Sequence, residues 1–330
     1  MRGRPLSAES VRYPVRRANP DTPPDMLGGQ ICICEHCLTV RPACLIIGAA
    51  AASRPAAHNH HGDLEPMKRL ILAAGIVASL AAGAAQADDA LKAAIAGEHR
   101  SAANKARDAA RHPYETLTFF GIKPNMTVVE LVPSGGWYTE ILAPYLRQNG
   151  KLIGAGQAIA PGNRYGMAFK QKLDSNPAIY DKVVPSVFEP PKTYQIAAPN
   201  SVDMVLTFRN LHNWVGNGED ALKTTFKEIH KVLKPGGVLG IVDHRLPASM
   251  TQDAKASSGY LHEAWVIKTV ESAGFKLAAK SEVNANPKDK ADHEKGVWTL
   301  PPVLANKDKD REKYMAIGES DRMTLKFVKQ

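Results

Sequence analysis

Between residues 126 and 330 the chain alternates apolar, strand-like runs with amphipathic, helix-like runs, and this alternation limits its fold more than any other feature. "MTVVELV" reads as a buried strand, "WYTEILAPYLRQ" as a helix stopped by Asn149-Gly150, and "KLIGAG" as a second strand. "SVDMVLTF" is a third strand, followed by the helix "GEDALKTTFKEIHKVL", a break at "KPGG" and the strand "VLGIVDH". "HEAWVIKTVESAGF" is a further helix, capped by Gly274. Strands joined through helices require right-handed crossovers, and so a mainly parallel sheet covered on both faces. One doubly wound α/β domain over 88–330 is the expectation. The last two strand patterns, "KLAAKSEV" and "DRMTLKFVKQ", have no helix pattern between them and are expected to be antiparallel. Residues 158–200 show little period. The stretch 284–320, rich in Lys, Asp, Asn and Pro, reads as a solvated excursion. From Asp88 to about Arg111 an alanine-rich helix is expected to cover a sheet edge.

Upstream of the domain the composition changes. "MKRLILAAGIVASLAAGAAQADD" begins at Met67 with a basic start (Lys68, Arg69), an apolar stretch and Ala85-Gln86-Ala87. This is the three-part pattern of a secretory signal over 67–87, cleaved after Ala87, and it places the mature chain in the periplasm. The apolar run is too short and too rich in Ala and Gly for a membrane span, so stable insertion of the mature chain is not expected. Residues 1–66 then read as a disordered or untranslated extension. They hold all four cysteines, Cys32, Cys34, Cys37 and Cys44, so the mature chain has none. Cys-x-Cys-x-x-Cys lacks the second half of a zinc ribbon, and no metal site is expected. The net charge of +9 is spread along the chain without a Lys/Arg block, which argues against a nucleic-acid partner.

In a doubly wound sheet, ligands sit at the carboxyl ends of the strands, where the strand order reverses. Glu130 should end the first strand, with Gly135-Gly136 in the turn and Thr139 in the first helical turn. Glycines there let backbone N–H groups approach a ligand. Trp137 and Tyr138 beside the turn read either as an aromatic wall of the pocket or as packing for the first helix. Beyond the third strand, "RNLHNW" holds Arg209, Asn210 and His212. His212 reads as a base or as a structural histidine, and Asp243 and His244 as substrate-side groups or strand caps. Ahead of the first strand, Arg107, Arg111, His112 and Tyr114 read as a lid or as a solvated helix face.

Taken in order, these motifs resemble the class I S-adenosylmethionine-dependent methyltransferases over roughly 95–330, and most closely an exported group with a "GGWYTE" loop. "KVLKPGGVLGIVD" at 231–243 is similar to the family's helix–turn–strand motif, "SVDMVLTFRNLHNW" to its fourth-strand motif, and "AGF" at 273–275 to the lead-in to its sixth strand. The resemblance implies a seven-stranded, Rossmann-like sheet with the last strand antiparallel, S-adenosylmethionine as cofactor and a small-molecule acceptor. It implies cofactor contacts from Glu130, Val132, Ser134, Gly135, Gly136, Tyr138, Thr139, Gly156, Gln157, Arg209 and Asn210, and catalysis by His212, Asp243 and His244. Val132 and Ser134 stand where the family's loop carries its first two glycines. Gly156, followed by Gln157, stands where the family has the acid that binds the ribose diol. Losing that charged hydrogen bond costs about 1.5–3 kcal/mol. A non-catalytic exported binding protein of the same fold is the second reading. An NAD-linked oxidoreductase fits poorly, because "PSGGWYTE" does not supply Gly-x-Gly-x-x-Gly.

Overall fold

The computed structural model describes residues 86–330. The signal pattern over 67–87, but for its last two residues, and the extension 1–66 lie outside the described residues.

The apolar runs form the middle of an eight-stranded sheet in the order β4-β3-β2-β1-β5-β6-β8-β7. Its strands are β1 (Thr127–Leu131), β2 (Lys151–Gly156), β3 (Val184–Glu189), β4 (Thr193–Gln195), β5 (Val202–Phe208), β6 (Leu233–His244), β7 (Phe275–Ser281) and β8 (Arg322–Lys329). β1, β2, β3, β5 and β6 are mutually parallel. β8 runs antiparallel between β6 and β7, as the sequence led one to expect. The expected count of seven is corrected by β4, a short strand folded back antiparallel onto β3.

Alternate side chains of each central strand enter opposite layers. Val129, Leu131 and Val205 pack beneath α8 (Leu211–Val215), α9 (Glu219–Val232) and α10 (Glu263–Glu271). α9 sends Leu222, Phe226 and Ile229 inward, at the spacing of one helical face. Val128, Leu152, Met204 and Leu206 pack against α4 (Pro113–Phe120), α5 (Thr139–Leu146), α6 (Arg164–Asp174) and α7 (Pro177–Tyr180).

Leu91 and Ala94 join this second layer from helix α1 (86–96). The expected single helix to Arg111 is instead three pieces, with α2 (Ala102–Lys105) and α3 (Asp108–Arg111) after α1, and it covers a face, not an edge. The stretch 158–200 contains α6, α7, β3 and β4, so it is not irregular. The excursion 284–320 is also not simply solvated, and helical segments at Gly296–Thr299 and α11 (Arg311–Ile317) interrupt it. Asn284, Asp289, Leu300 and Ser320 are buried. Asn284 Nδ2 donates to Thr116 Oγ1 at 2.9 Å and to Thr324 Oγ1 at 3.0 Å, which ties the excursion to α4 and β8. No helix among the described residues is long and apolar enough to cross a membrane.

Candidate functional site

The parallel strands β1, β5 and β6 end side by side, and their carboxyl tips carry the chemistry. At the tip of β1, Glu130 is buried and accepts a hydrogen bond from Thr139 Oγ1 at 2.6 Å. Burial raises its pKa to about 7, against the pull of Thr139 and of Arg209.

The turn that follows holds Val132 at φ 50°, Ser134 at φ 51° and Gly136 at φ 73°. Val132 and Ser134 therefore keep the left-handed backbone that the replaced glycines would have adopted freely, at a steric cost. Val132 N–H donates to Ala155 O at 2.7 Å and Gly136 N–H to Pro133 O at 2.8 Å, and these bonds hold the turn in place.

A cavity of about 180 Å³ opens between this turn and the tip of β5. Six of the expected cofactor residues line it: Glu130, Val132, Ser134, Tyr138, Arg209 and Asn210. Trp137 also lines it, while its Nε1 donates to Asn104 O at 3.1 Å, so the pocket-wall and packing readings both hold. Phe208, which sequence reasoning missed, stacks on Tyr138 with ring centroids 3.5 Å apart and an interplanar angle of 9°. Five expected residues do not line it. Gly135 is exposed, Gly136 and Thr139 shape the helix start, and Gly156 and Gln157 at the end of β2 are not among the lining residues. A Cβ on Gly156 would stand 3.3 Å from Pro133 Cδ, so that ring occupies the space beside β2. A carboxylate beside the tip of β2 comes from β3. Glu189 Oε1 accepts from Ala158 N–H at 3.0 Å and from Asn163 Nδ2 at 3.2 Å.

The structure brings His212, Asp243 and His244 together, all buried. Asp243, next to last in β6, is fully enclosed. Its carboxylate lies 2.8 Å from His212 Nδ1 and accepts from the N–H groups of His244 (2.8 Å) and His212 (3.4 Å). A carboxylate can only accept, so His212 Nδ1 donates to Asp243 and the ring's Nε2 is left outside that pair. The histidine is thus held by a partner chosen for orientation, and Asp243 is more than a strand cap. His244 Nδ1 is 2.5 Å from Ser320 Oγ of the excursion, and its ring lies 5.1 Å from that of His212. Burial holds the His244 pKa well below the usual histidine range, and His212, Arg209 and Arg322 lower it further, so His244 is neutral. Ligand atoms of these three residues lie within 4.8 Å of one another. Both Asp243 oxygens also accept hydrogen bonds, and two guanidinium groups adjoin His244, so the three residues form a hydrogen-bonded relay with positive charge beside it. Trp298 and Tyr260 complete its aromatic surroundings, both from segments that carried no readable signal.

The segment ahead of β1 is neither a free lid nor a solvated face in this structure. Arg111 is buried 4.7 Å over Trp137, and Arg107 and Arg111 both bond Glu319. His262 starts α10 with its Nε2 against Met250 O at 2.9 Å, away from the cluster.

A family model for a methyltransferase domain matches residues 170–241. No curated protein matches the chain. Among solved structures, a SAM-dependent methyltransferase from Aquifex aeolicus is 18% identical, with 68% of this chain and 92% of that chain covered and a TM-score of 0.45. A putative sarcosine dimethylglycine methyltransferase from Galdieria sulphuraria is 15% identical over 68% and 85%, with a TM-score of 0.44. An S-adenosylmethionine-dependent methyltransferase from Mesorhizobium loti is 12% identical over 66% and 97%, with a TM-score of 0.41. The segment that matches the methyltransferase domain thus runs from α6 into β6, across the tip of β5 and His212 but short of the relay's Asp243.

Proposed function

We propose that the protein is an S-adenosylmethionine-dependent methyltransferase that acts on a small molecule outside the cytoplasm, within the exported group its loop resembles. The observation that carries this reading is the juxtaposition of a ligand-sized turn at β1 with an oriented His212–Asp243 pair at the tips of β5 and β6. The methyltransferase-domain match over 170–241 supports it.

The cavity of about 180 Å³ is smaller than the roughly 300 Å³ at which sites for drug-sized ligands begin, so it takes one end of the cofactor. The residues present fit the amino-acid end. Glu130 offers a buried carboxyl to an ammonium group, and Ser134, Tyr138 and Asn210 surround it. On the ribose side, Glu189 is the carboxylate available in place of the one missing at Gly156. When bound, S-adenosylmethionine supplies a methyl group activated by its sulfonium. The protein's own part is to hold the acceptor in line and to take its proton. His212 Nε2 accepts that proton from the acceptor's hydroxyl or amine, and Asp243 stabilises the imidazolium that results. His244 stays neutral beside it, as a hydrogen-bond partner for the acceptor.

Calorimetric titration of the purified protein with S-adenosylhomocysteine tests the reading, with dissociation constants in the micromolar range as the expected result. No heat of binding at millimolar ligand would leave a non-catalytic binding protein of this fold.

A further inference from the structure

Behind the cavity lies a cluster of arginines that the proposed chemistry does not use. Arg107 Nε donates to Glu319 Oε1 at 2.7 Å, Arg111 Nε to Glu319 Oε2 at 3.1 Å, and Arg322 Nη1 to Glu319 Oε2 at 3.0 Å. One carboxylate thus serves three guanidinium groups. Arg107 Nη2, Arg111 Nη1 and Arg322 Nε are buried without any partner among the described residues. Arg209 makes the fourth. It lines the cavity at a left-handed φ of 60°, and among the described residues its side chain has no hydrogen-bond or ion-pair partner. Burial, with Arg322 close by, pulls its pKa down to about 10, a level at which it is still charged at neutral pH.

Four guanidinium groups beside the one carboxylate of Glu319, those of Arg111 and Arg322 buried and those of Arg107 and Arg209 half-buried, leave a positive excess that an isolated fold does not tolerate cheaply. Glu130 offsets only part of it, because burial raises its pKa and so disfavours its charged form. The same excess disfavours a divalent cation at the neighbouring histidines. Nor does S-adenosylmethionine cure it, because its sulfonium and ammonium outnumber its one carboxylate. The larger cleft beside Arg245, about 650 Å³, shows no comparable excess, since Asp321, Glu282 and Glu263 all bond that arginine.

We propose that Arg209, backed by Arg107, Arg111 and Arg322, binds an anionic group, a carboxylate or phosphate, carried by the methyl acceptor. This rests on the methyltransferase reading and moves Arg209 from the cofactor to the acceptor. Cross-strand pairing sets Arg322 beside His244, so an acceptor held by its anion lies next to the two histidines. The acceptor is then a small acid with a hydroxyl or amine as its methylated group.

The test uses the full protein, sodium sulfate as probe, and sodium chloride to keep ionic strength constant. Sulfate is expected to bind saturably in the millimolar range, by calorimetry and by thermal shift, both to the free protein and to protein saturated with S-adenosylhomocysteine. Arg209→Met should weaken sulfate at least about tenfold, with Arg209→Lys intermediate between the wild type and Arg209→Met. Absence of saturable sulfate binding, or an unchanged affinity in Arg209→Met, overturns the proposal. Competition between sulfate and S-adenosylhomocysteine also overturns it, because the anion held would then be the cofactor's own carboxylate. If S-adenosylhomocysteine fails to bind while sulfate binds through Arg209, the methyltransferase reading fails. The anion site then stands, but its assignment to a methyl acceptor falls.

Discussion

At the scale of single residues, the loop between β1 and α5 keeps a glycine-like backbone with two residues that are not glycine. Left-handed backbone costs an L-residue roughly 1–2 kcal/mol, and a β-branched valine is the worse case. Ser134 is half-buried and gains only a long bond from its Oγ to Val132 O at 3.3 Å. Ser134→Gly should therefore be neutral to stabilising by up to about 1 kcal/mol, after the entropy a glycine adds to the unfolded chain. Gly136→Ala should destabilise by about 1–2 kcal/mol, since its Cβ would meet both a positive φ and Lys172 Cγ at 3.0 Å. Urea midpoints for the two variants decide this, and equal losses would show that the loop is not held left-handed. Val132 and Ser134 were legible as departures from a glycine pattern. Their conformation was not, because a side chain's name does not reveal a strain that neighbouring hydrogen bonds enforce.

Glu130 makes a second residue-scale prediction. A carboxyl whose folded pKa lies above its unfolded value holds its proton more tightly when folded. Stability is then lost as pH rises from the unfolded value, near 4.5, through about 7. The interval from 4.5 to about 7 is worth of order 3 kcal/mol. Glu130→Gln has no proton to lose, so its stability relative to wild type should rise by up to that amount between pH 5 and pH 8. Parallel pH profiles of the urea midpoint for the two proteins would contradict the buried, raised carboxyl.

At the scale of elements, the excursion 284–320 changes from surface ornament to scaffold. Asp289 accepts from Tyr260 Oη at 2.8 Å, Ala291 N–H at 2.9 Å and Asp321 N–H at 2.8 Å, with His293 Nε2 also 2.8 Å away. Removing it strands a buried phenol and two amides, each costing about 1–3 kcal/mol if unpaired. Asp289→Ala should lose about 3–5 kcal/mol in urea unfolding, and the exposed Asp292→Ala less than about 0.5 kcal/mol. Comparable losses for both would mean that the excursion is not anchored there. Composition hid this element. Its Lys, Asp and Asn residues read as solvated, yet Asn284 and Asp289 are buried because partners far away in sequence satisfy them. β3 and β4 were hidden for another reason: they lie at the sheet edge, half-exposed, and so lack the apolar run that made β1, β5 and β6 readable.

The relay belongs to this scale too, since it joins the tip of β5 to the tip of β6. Asp243→Asn keeps the shape but replaces one acceptor oxygen with a donor, so it can no longer fix the His212 tautomer and serve both amides. Once an acceptor is in hand, this variant should lower kcat by 10²–10⁴-fold, the usual worth of a positioned base, and leave S-adenosylhomocysteine affinity within a few-fold. A fall in that affinity matching the fall in kcat would make Asp243 a support of the cofactor pocket instead. His212 and Asp243 could each be picked out as strand-tip residues. Their pairing could not, because it depends on the parallel register of β5 with β6.

At the scale of the whole molecule, the packing limits how far into the chain the cleavage proposed on export can fall. The second core layer takes Leu91 and Ala94 from α1, and Asp88 bonds both Tyr114 Oη and, at 2.5 Å, Lys92 Nζ. A chain cut after Ala87 keeps every one of these contacts and places Asp88 and Asp89 at a helix start, where negative charge is favoured. A cut beyond Gly97 would remove Leu91, whose burial is worth about 1.5–3 kcal/mol, and expose the layer it packs on. The protein recovered from a periplasmic fraction should therefore have an intact mass that begins at Asp88, and a chain begun at residue 98 should unfold at measurably lower urea. Recovery only from the cytoplasm with residues 67–87 still attached would defeat export. A mature chain that starts past Leu91 with undiminished stability would defeat the structural half of the argument.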